Sequence, residues 1–177
     1  MALTKKQLFL VREIEKFMIL FGLDYEAIED YKPIYRTSLL ENIKRKIIRG
    51  QIILFYTIID EHLSEQVCYY FFGHKRTFPQ LWKTKRFQQF NYYILEDISL
   101  MQKLRFVKSI ASLPKSVLQD IERLNALRNG FAHAFFPENL RKSKPFWKGK
   151  DVFSLEGAEL FHNDFEKLCD YFLHSTE

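Results

Sequence analysis

Glycine and proline are scarce, with six and five in 177 residues. A strand-and-turn architecture needs punctuation every 8 to 12 residues or so, so the shortage excludes most all-β folds and predicts long helices. Cysteine is scarcer still. Cys68 and Cys169 stand far apart in no CxxC spacing, which argues against a disulfide scaffold or a zinc site and reads as two buried thiols in a reducing compartment. Long hydrophobic runs are missing too. The longest, IILFYTII at 52–59, is closed by Asp60 and Glu61, whereas a bilayer-spanning helix needs roughly 20 apolar residues. Arg12, Glu13, Glu15 and Lys16 interrupt the amino-terminal apolar residues, so no signal peptide and no membrane contact are expected, and the predicted location is cytoplasmic. The chain has no glycine-rich phosphate loop, nucleophile elbow or zinc motif, and neither a metal nor a cofactor is expected. His62, His74, His162 and His174 fall in no metal-ligand spacing.

What is present is apolar and aromatic. Hydrophobic residues make up 47% of the chain and aromatics 16%, with 18 phenylalanines, which excludes disorder. A chain of this length forms one domain that buries about 70% of its unfolded surface. The formal charge is +5, from 27 basic and 22 acidic side chains. Two readings fit it: an ordinary soluble surface, or a basic face for a polyanion such as RNA. Cations cluster at Lys44, Arg45, Lys46 and Arg49, and again at Lys83, Lys85 and Arg86. The segment RKSKPFWKGK carries Arg141, Lys142, Lys144, Lys148 and Lys150 with no acid, and Phe146 and Trp147 sit between them. Cations interleaved with aromatics suit phosphate contact plus base stacking, although a solvated loop has the same composition.

Periodicity predicts an all-α bundle of about five main helices. Thr4 caps a first helix that ends near Gly22, with Leu8, Val11, Ile14, Met18 and Phe21 on one face. A connector broken by Pro33 follows, so residues 1–35 read as a helix plus connector and 36–177 as the bundle proper. A second, long helix spans about Ser38 to Phe72; its centre is apolar all round and should be the most buried element, with Gly50 as a bend or a point of close approach. Residues 73–79 form a turn. A third helix runs from Leu81 to Ser112, with Phe90, Ile94, Ile98, Met101, Leu104 and Val107 along one side, and Pro114 breaks it. Ser116 and Gln119 have capping-box spacing and open a fourth helix that Pro137 stops. Residues 139–153 form a basic loop with a short hairpin near Gly149, and Ser154 caps the last helix.

The fourth helix carries the chemistry. On a wheel of 3.6 residues per turn, Val117, Ile121, Leu124, Leu127, Phe131 and Phe135 form a core arc, with Glu122, Asn129 and His133 opposite. Asn129 and His133 are four apart and neighbours on one face, so Asn129 can hold one ring nitrogen while the other transfers protons near neutral pH. Ala126, Gly130 and Ala134 form a ridge of small side chains that admits a neighbouring helix closely. This accounts for a mid-helix glycine that costs roughly 1 kcal/mol relative to alanine. Arg128 lies at the edge of the core arc, about 140° from His133. Two roles fit it: a structural arginine paired with Asp60 or Glu61, or a planar fork that grips phosphate.

RNGFAH at 128–133 resembles the Arg-polar-x-x-x-His motif of the HEPN superfamily. The likeness extends over about residues 38–175, including the long apolar helix ending in IIDEHLSEQVCYYFF and the motif on the penultimate helix. LRNGFAH followed by an aromatic is also similar to the branch containing the mannitol operon repressor family. The resemblance implies a helical bundle that dimerises with its motif helices facing each other, and in many members a metal-independent endoribonuclease at the composite cleft. It assigns His133 the acid–base role, Arg128 the phosphate and Asn129 the polar position beside it. The implied reaction is attack of a ribose 2′-hydroxyl on the adjacent phosphate to leave a 2′,3′-cyclic phosphate, as in toxins and antiviral effectors with a cognate antitoxin. The repressor-like branch implies instead a noncatalytic regulatory or interaction module. A third expectation is a nucleotide-binding module paired with a nucleotidyltransferase.

Overall fold

The computed structural model describes residues 18–21, 23–24, 26–73, 75, 77–133 and 145–174, with the side chains of residues 27, 28, 132 and 133 outside that description. The protein is all-α, and the described residues hold one small antiparallel hairpin. No helix among them is long and apolar enough to cross a membrane. The first predicted helix falls almost wholly outside the described residues; only 18–20 of it is seen, and it is helical.

Helix α1 spans Pro33–Phe72, 40 residues and so about 60 Å. Pro33 opens this helix rather than breaking the chain before it, because a proline at the first helical position has no N–H to lose and a φ already set. The chain divides into two compact units, Met1–Gly50 and Gln51–Glu177, and α1 runs through the boundary. In the first unit, a 3-10 turn at Glu26–Asp30 precedes α1. Arg36 ties the turn to the helix by donating to the carbonyl oxygens of Tyr31 (3.0 Å) and Glu29 (2.8 Å). No side chain described between 18 and 50 is buried. Gly50 does not serve a close approach, since a Cβ placed there would have nothing within 4 Å among the described residues.

The second unit holds the core. On α1 it is a single stripe, Ile52, Phe55, Ile59, Leu63 and Val67, at three- and four-residue steps. The expectation of burial all round is therefore corrected: Ile53 and Leu54 are about half exposed, at 55% and 49%. The predicted third helix is also corrected, because it is several pieces: α2 (Phe78–Leu81), α3 (Lys85–Phe90), a π turn at Asn91–Leu95, and α4 (Leu100–Ile110). Ser99 causes the break. Its backbone N–H donates to Gln102 Oε1 at 2.8 Å while its hydroxyl accepts from the Gln102 N–H, a capping box that starts a new helix. The phase of the buried face shifts with it, to Leu95, Leu100, Leu104 and Val107, leaving Ile94 half exposed.

Helix α5 (Lys115–His133) begins one residue before Ser116, so that serine lies in the first turn rather than capping it. The core arc stands as read: Val117, Ile121, Leu124, Leu127 and Phe131 are all buried. Phe135 and Pro137 lie outside the described residues. Strands β1 (Phe146–Trp147) and β2 (Lys150–Asp151) form the hairpin, with Lys148 and Gly149 at positive φ of 47° and 86°, the pattern of a tight two-residue turn. Helix α6 (Leu155–His174) is capped by Ser154, whose hydroxyl accepts the Gly157 N–H at 3.1 Å. Phe165 of α6 stacks on Phe55 of α1 at 3.6 Å and Phe172 on His62 at 5.5 Å, so α6 lies along the buried stripe.

Candidate functional site

Two of the three side chains of the expected α5 polar stripe are described. Asn129 and Glu122 are exposed, Ala126 is exposed and Gly130 half-buried, while Ala134 and the His133 side chain lie outside the described residues. Arg128 is half-buried, and its surroundings decide between the two roles left open for it. Its guanidinium lies over the ring of Tyr56 on α1, 4.9 Å from the centroid, and donates through Nη1 to Asn129 Oδ1 at 3.2 Å. Asp60 is not its partner. That carboxylate is engaged by Lys103 of α4 at 2.6 Å, and Lys103 is only 5% exposed. Glu61 forms no hydrogen bond or ion pair among the described residues. The structural arginine paired with a carboxylate is thus replaced by a cation over an aromatic face, which orients the fork without neutralising it. Asn129 accepts the Arg128 bond through its side-chain oxygen, and the expected contact between Asn129 and the His133 ring lies outside the described residues.

Tyr56 is the residue that sequence reasoning missed. Burial pushes its hydroxyl pKa up; the nearby Arg128 charge offsets this in part and Asp60 adds to it. Tyr56 also lines a cleft of about 710 Å³ between α1 and the segment from Phe78 to Lys103, together with Phe78, Trp82, Glu61, Asn91 and Glu96. A tyrosine one helical turn before Asp60, inside the apolar run 52–59, was the signal available.

The basic segment is less available than its composition suggests. Arg141, Lys142 and Lys144 lie outside the described residues. Lys148 bonds Asp120 of α5 at 2.9 Å and Asp164 of α6 at 2.8 Å. Burial opposes its charge, but these two bonds outweigh that and hold its pKa above the ordinary value. Burial likewise works to raise Asp164, and hydrogen bonds from Lys148 and Trp147 bring it below the usual carboxylate range. Trp147 is 2% exposed with its indole N–H on Asp164 at 3.0 Å, so it is a core residue and not a stacking platform. Lys150 pairs with Glu156 at 2.7 Å. Phe146 alone of the hairpin aromatics is open to solvent, at 45%.

Cys68 is buried and Cys169 half-buried, both as free thiols. Burial, and after it Glu65, pushes Cys68 up to about 12, so this thiol is inert at neutral pH. Among the described residues no group of three His, Cys, Asp or Glu side chains is placed to hold a metal ion. Comparison with protein-family models, with curated proteins and with solved structures finds no match to this chain.

Proposed function

We propose that the chain is a HEPN-like, metal-independent endoribonuclease that cleaves RNA as a cytoplasmic homodimer, in the role of a toxin or antiviral effector. The observation that supports this most is the state of Arg128. It is half-buried, stacked on Tyr56 and steadied by Asn129, with no carboxylate paired to it among the described residues. Such a fork is prepared to take two non-bridging phosphate oxygens. His133, on the same helix, then serves proton transfer. The 2′-oxygen forms a bond to phosphorus as the bond to the 5′-oxygen breaks, and the 2′-hydroxyl proton is relayed to the departing oxygen. Arg128 offsets the charge that builds on the phosphoryl oxygens. The two residues are five apart, about 140° around a helix, so each site draws its arginine and its histidine from different protomers.

The test is cleavage of RNA in EDTA. Activity should persist there, fall by about 10²–10⁴-fold in His133→Ala, and yield 2′,3′-cyclic ends. Equal slow cleavage by the variant would assign the activity to a contaminant. One observation favours the noncatalytic reading: Lys148 and Lys150 are already paired with carboxylates of their own chain, which removes two of the five cations expected to face RNA. A partner protein retained unchanged by His133→Ala, with no cleavage by either form, would establish that alternative.

A further inference from the structure

We infer that the cleft beside Tyr56 is a base pocket selective for guanine, an inference that rests on the ribonuclease reading for its purpose though not for its test. Tyr56 belongs to two places at once. Its ring carries the Arg128 guanidinium, and it forms part of the cleft wall. Tyr56 thus links a phosphate held on Arg128 to the cleft in which the base of the same nucleotide would lie. The cleft, about 710 Å³, is in the range that encloses a small ligand, roughly 300–1,000 Å³. Its walls include Phe78 and Trp82, and Trp82 is 39% exposed, so aromatic surface borders the cleft. Single-stranded RNA is read by stacking a splayed base on aromatic side chains and bonding its Watson–Crick edge.

The polar groups narrow the choice of base. Asp60 is already neutralised by Lys103 at 2.6 Å. Glu96 accepts from the Asn91 side chain through Oε1 at 2.5 Å. Glu65, also in the wall, faces His62 through Oε2 at 3.6 Å, so Glu61 alone of these four carboxylates has neither oxygen in a hydrogen bond or ion pair among the described residues. An ionised carboxylate only accepts hydrogen bonds, and it accepts best from two parallel donors. Guanine alone among the four bases presents two adjacent donors on that edge, its ring N1–H and its exocyclic amino group. Adenine and cytosine place an acceptor beside their amino group, and uracil flanks its single donor with two carbonyls.

Quenching of Trp82 emission by free nucleosides tests this, with Trp82→Phe identifying the signal against that of Trp147. Guanosine should quench saturably and the other three nucleosides at least about tenfold more weakly, as expected for one bidentate pairing. Glu61→Gln should weaken guanosine binding by a similar factor; because Glu61 is exposed, the fold survives that change. Equal quenching by all four nucleosides, or none, overturns the pocket, as does guanosine binding unaltered in Glu61→Gln. The two proposals fail separately. Selective guanosine binding by a protein that cleaves no RNA keeps the pocket and removes the nuclease; cleavage without guanine preference and without quenching does the reverse.

Discussion

Arg128 is oriented by an aromatic ring and an amide, and neither carries a charge. A guanidinium over a tyrosine face in a partly exposed site is worth about 0.5–1 kcal/mol. That energy should appear as a coupling. In urea denaturation, Arg128→Ala and Tyr56→Leu together should destabilise the protein by about 0.5–1 kcal/mol less than the sum of the two single changes. Tyr56→Phe keeps the ring and should retain most of the coupling. Additive losses would mean that the two side chains are merely adjacent and that Arg128 is positioned by something else. The sequence could show that Arg128 sat at the rim of the apolar arc, because the α5 periodicity is regular from Val117 to Phe131. It could not show which residue lay beneath it, since Tyr56 reaches it from another helix more than 70 positions away.

Among the elements, the hairpin behaves as a clamp. One ammonium, Lys148, joins the β-turn to Asp120 on α5 and Asp164 on α6, and holds a non-glycine residue at φ 47°, a conformation with a steric cost. The pKa directions define when the clamp acts. Asp164 is lowered from 3.8, so its contribution is complete above that value and disappears as pH falls through its depressed pKa. Lys148 is raised from 10.5, so its contribution is complete below that value and is lost as pH rises through the elevated one. Trp147 emission, followed in Trp82→Phe, should stay flat between about pH 4 and 10 and shift outside those limits. A transition near pH 6 to 7 would contradict this assignment.

The turn after β2 is tighter still. A Cβ on Gly157 would lie 1.9 Å from the Asp151 carbonyl oxygen, which is backbone and cannot swing aside. Gly157→Ala should cost about 1–3 kcal/mol or more, lowering Tm by roughly 2–4 °C per kcal/mol for a chain of this size. An unchanged Tm would show that the start of α6 yields freely. Local chemistry made the hairpin, the Ser154 cap and the α5 core arc legible in advance. The break at Ser99 went unread although its Ser-x-x-Gln signature was present, because the apolar residues on either side continue a helical period across it. Pro33 was misread for a related reason: proline ends a helix and begins one, and only the residues after it distinguish the two.

At the scale of the whole molecule, the proposal requires two chains. Arg128 and His133 diverge around one helix, so a site built within a single protomer and one built across a two-fold axis make different predictions for mixed variants. Arg128→Ala retains its histidine and His133→Ala retains its arginine. If each site takes one residue from each protomer, a heterodimer of the two holds one site lacking both groups and one site that is whole. Random exchange makes half the dimers mixed, each with one of two sites intact, so the mixture should recover about a quarter of the wild-type rate although each variant alone is nearly inactive. Sites confined to one protomer would recover nothing on mixing. Ala126→Arg, which places a long cation at an exposed position of α5, supplies the control: light scattering should show a monomer, and a mixture of both variants carrying this change should stay inactive. Recovery in that background would require that the chains meet through a different face, and a wild-type protein that remains monomeric well above micromolar concentration would leave Arg128 and His133 without a shared phosphate to act on.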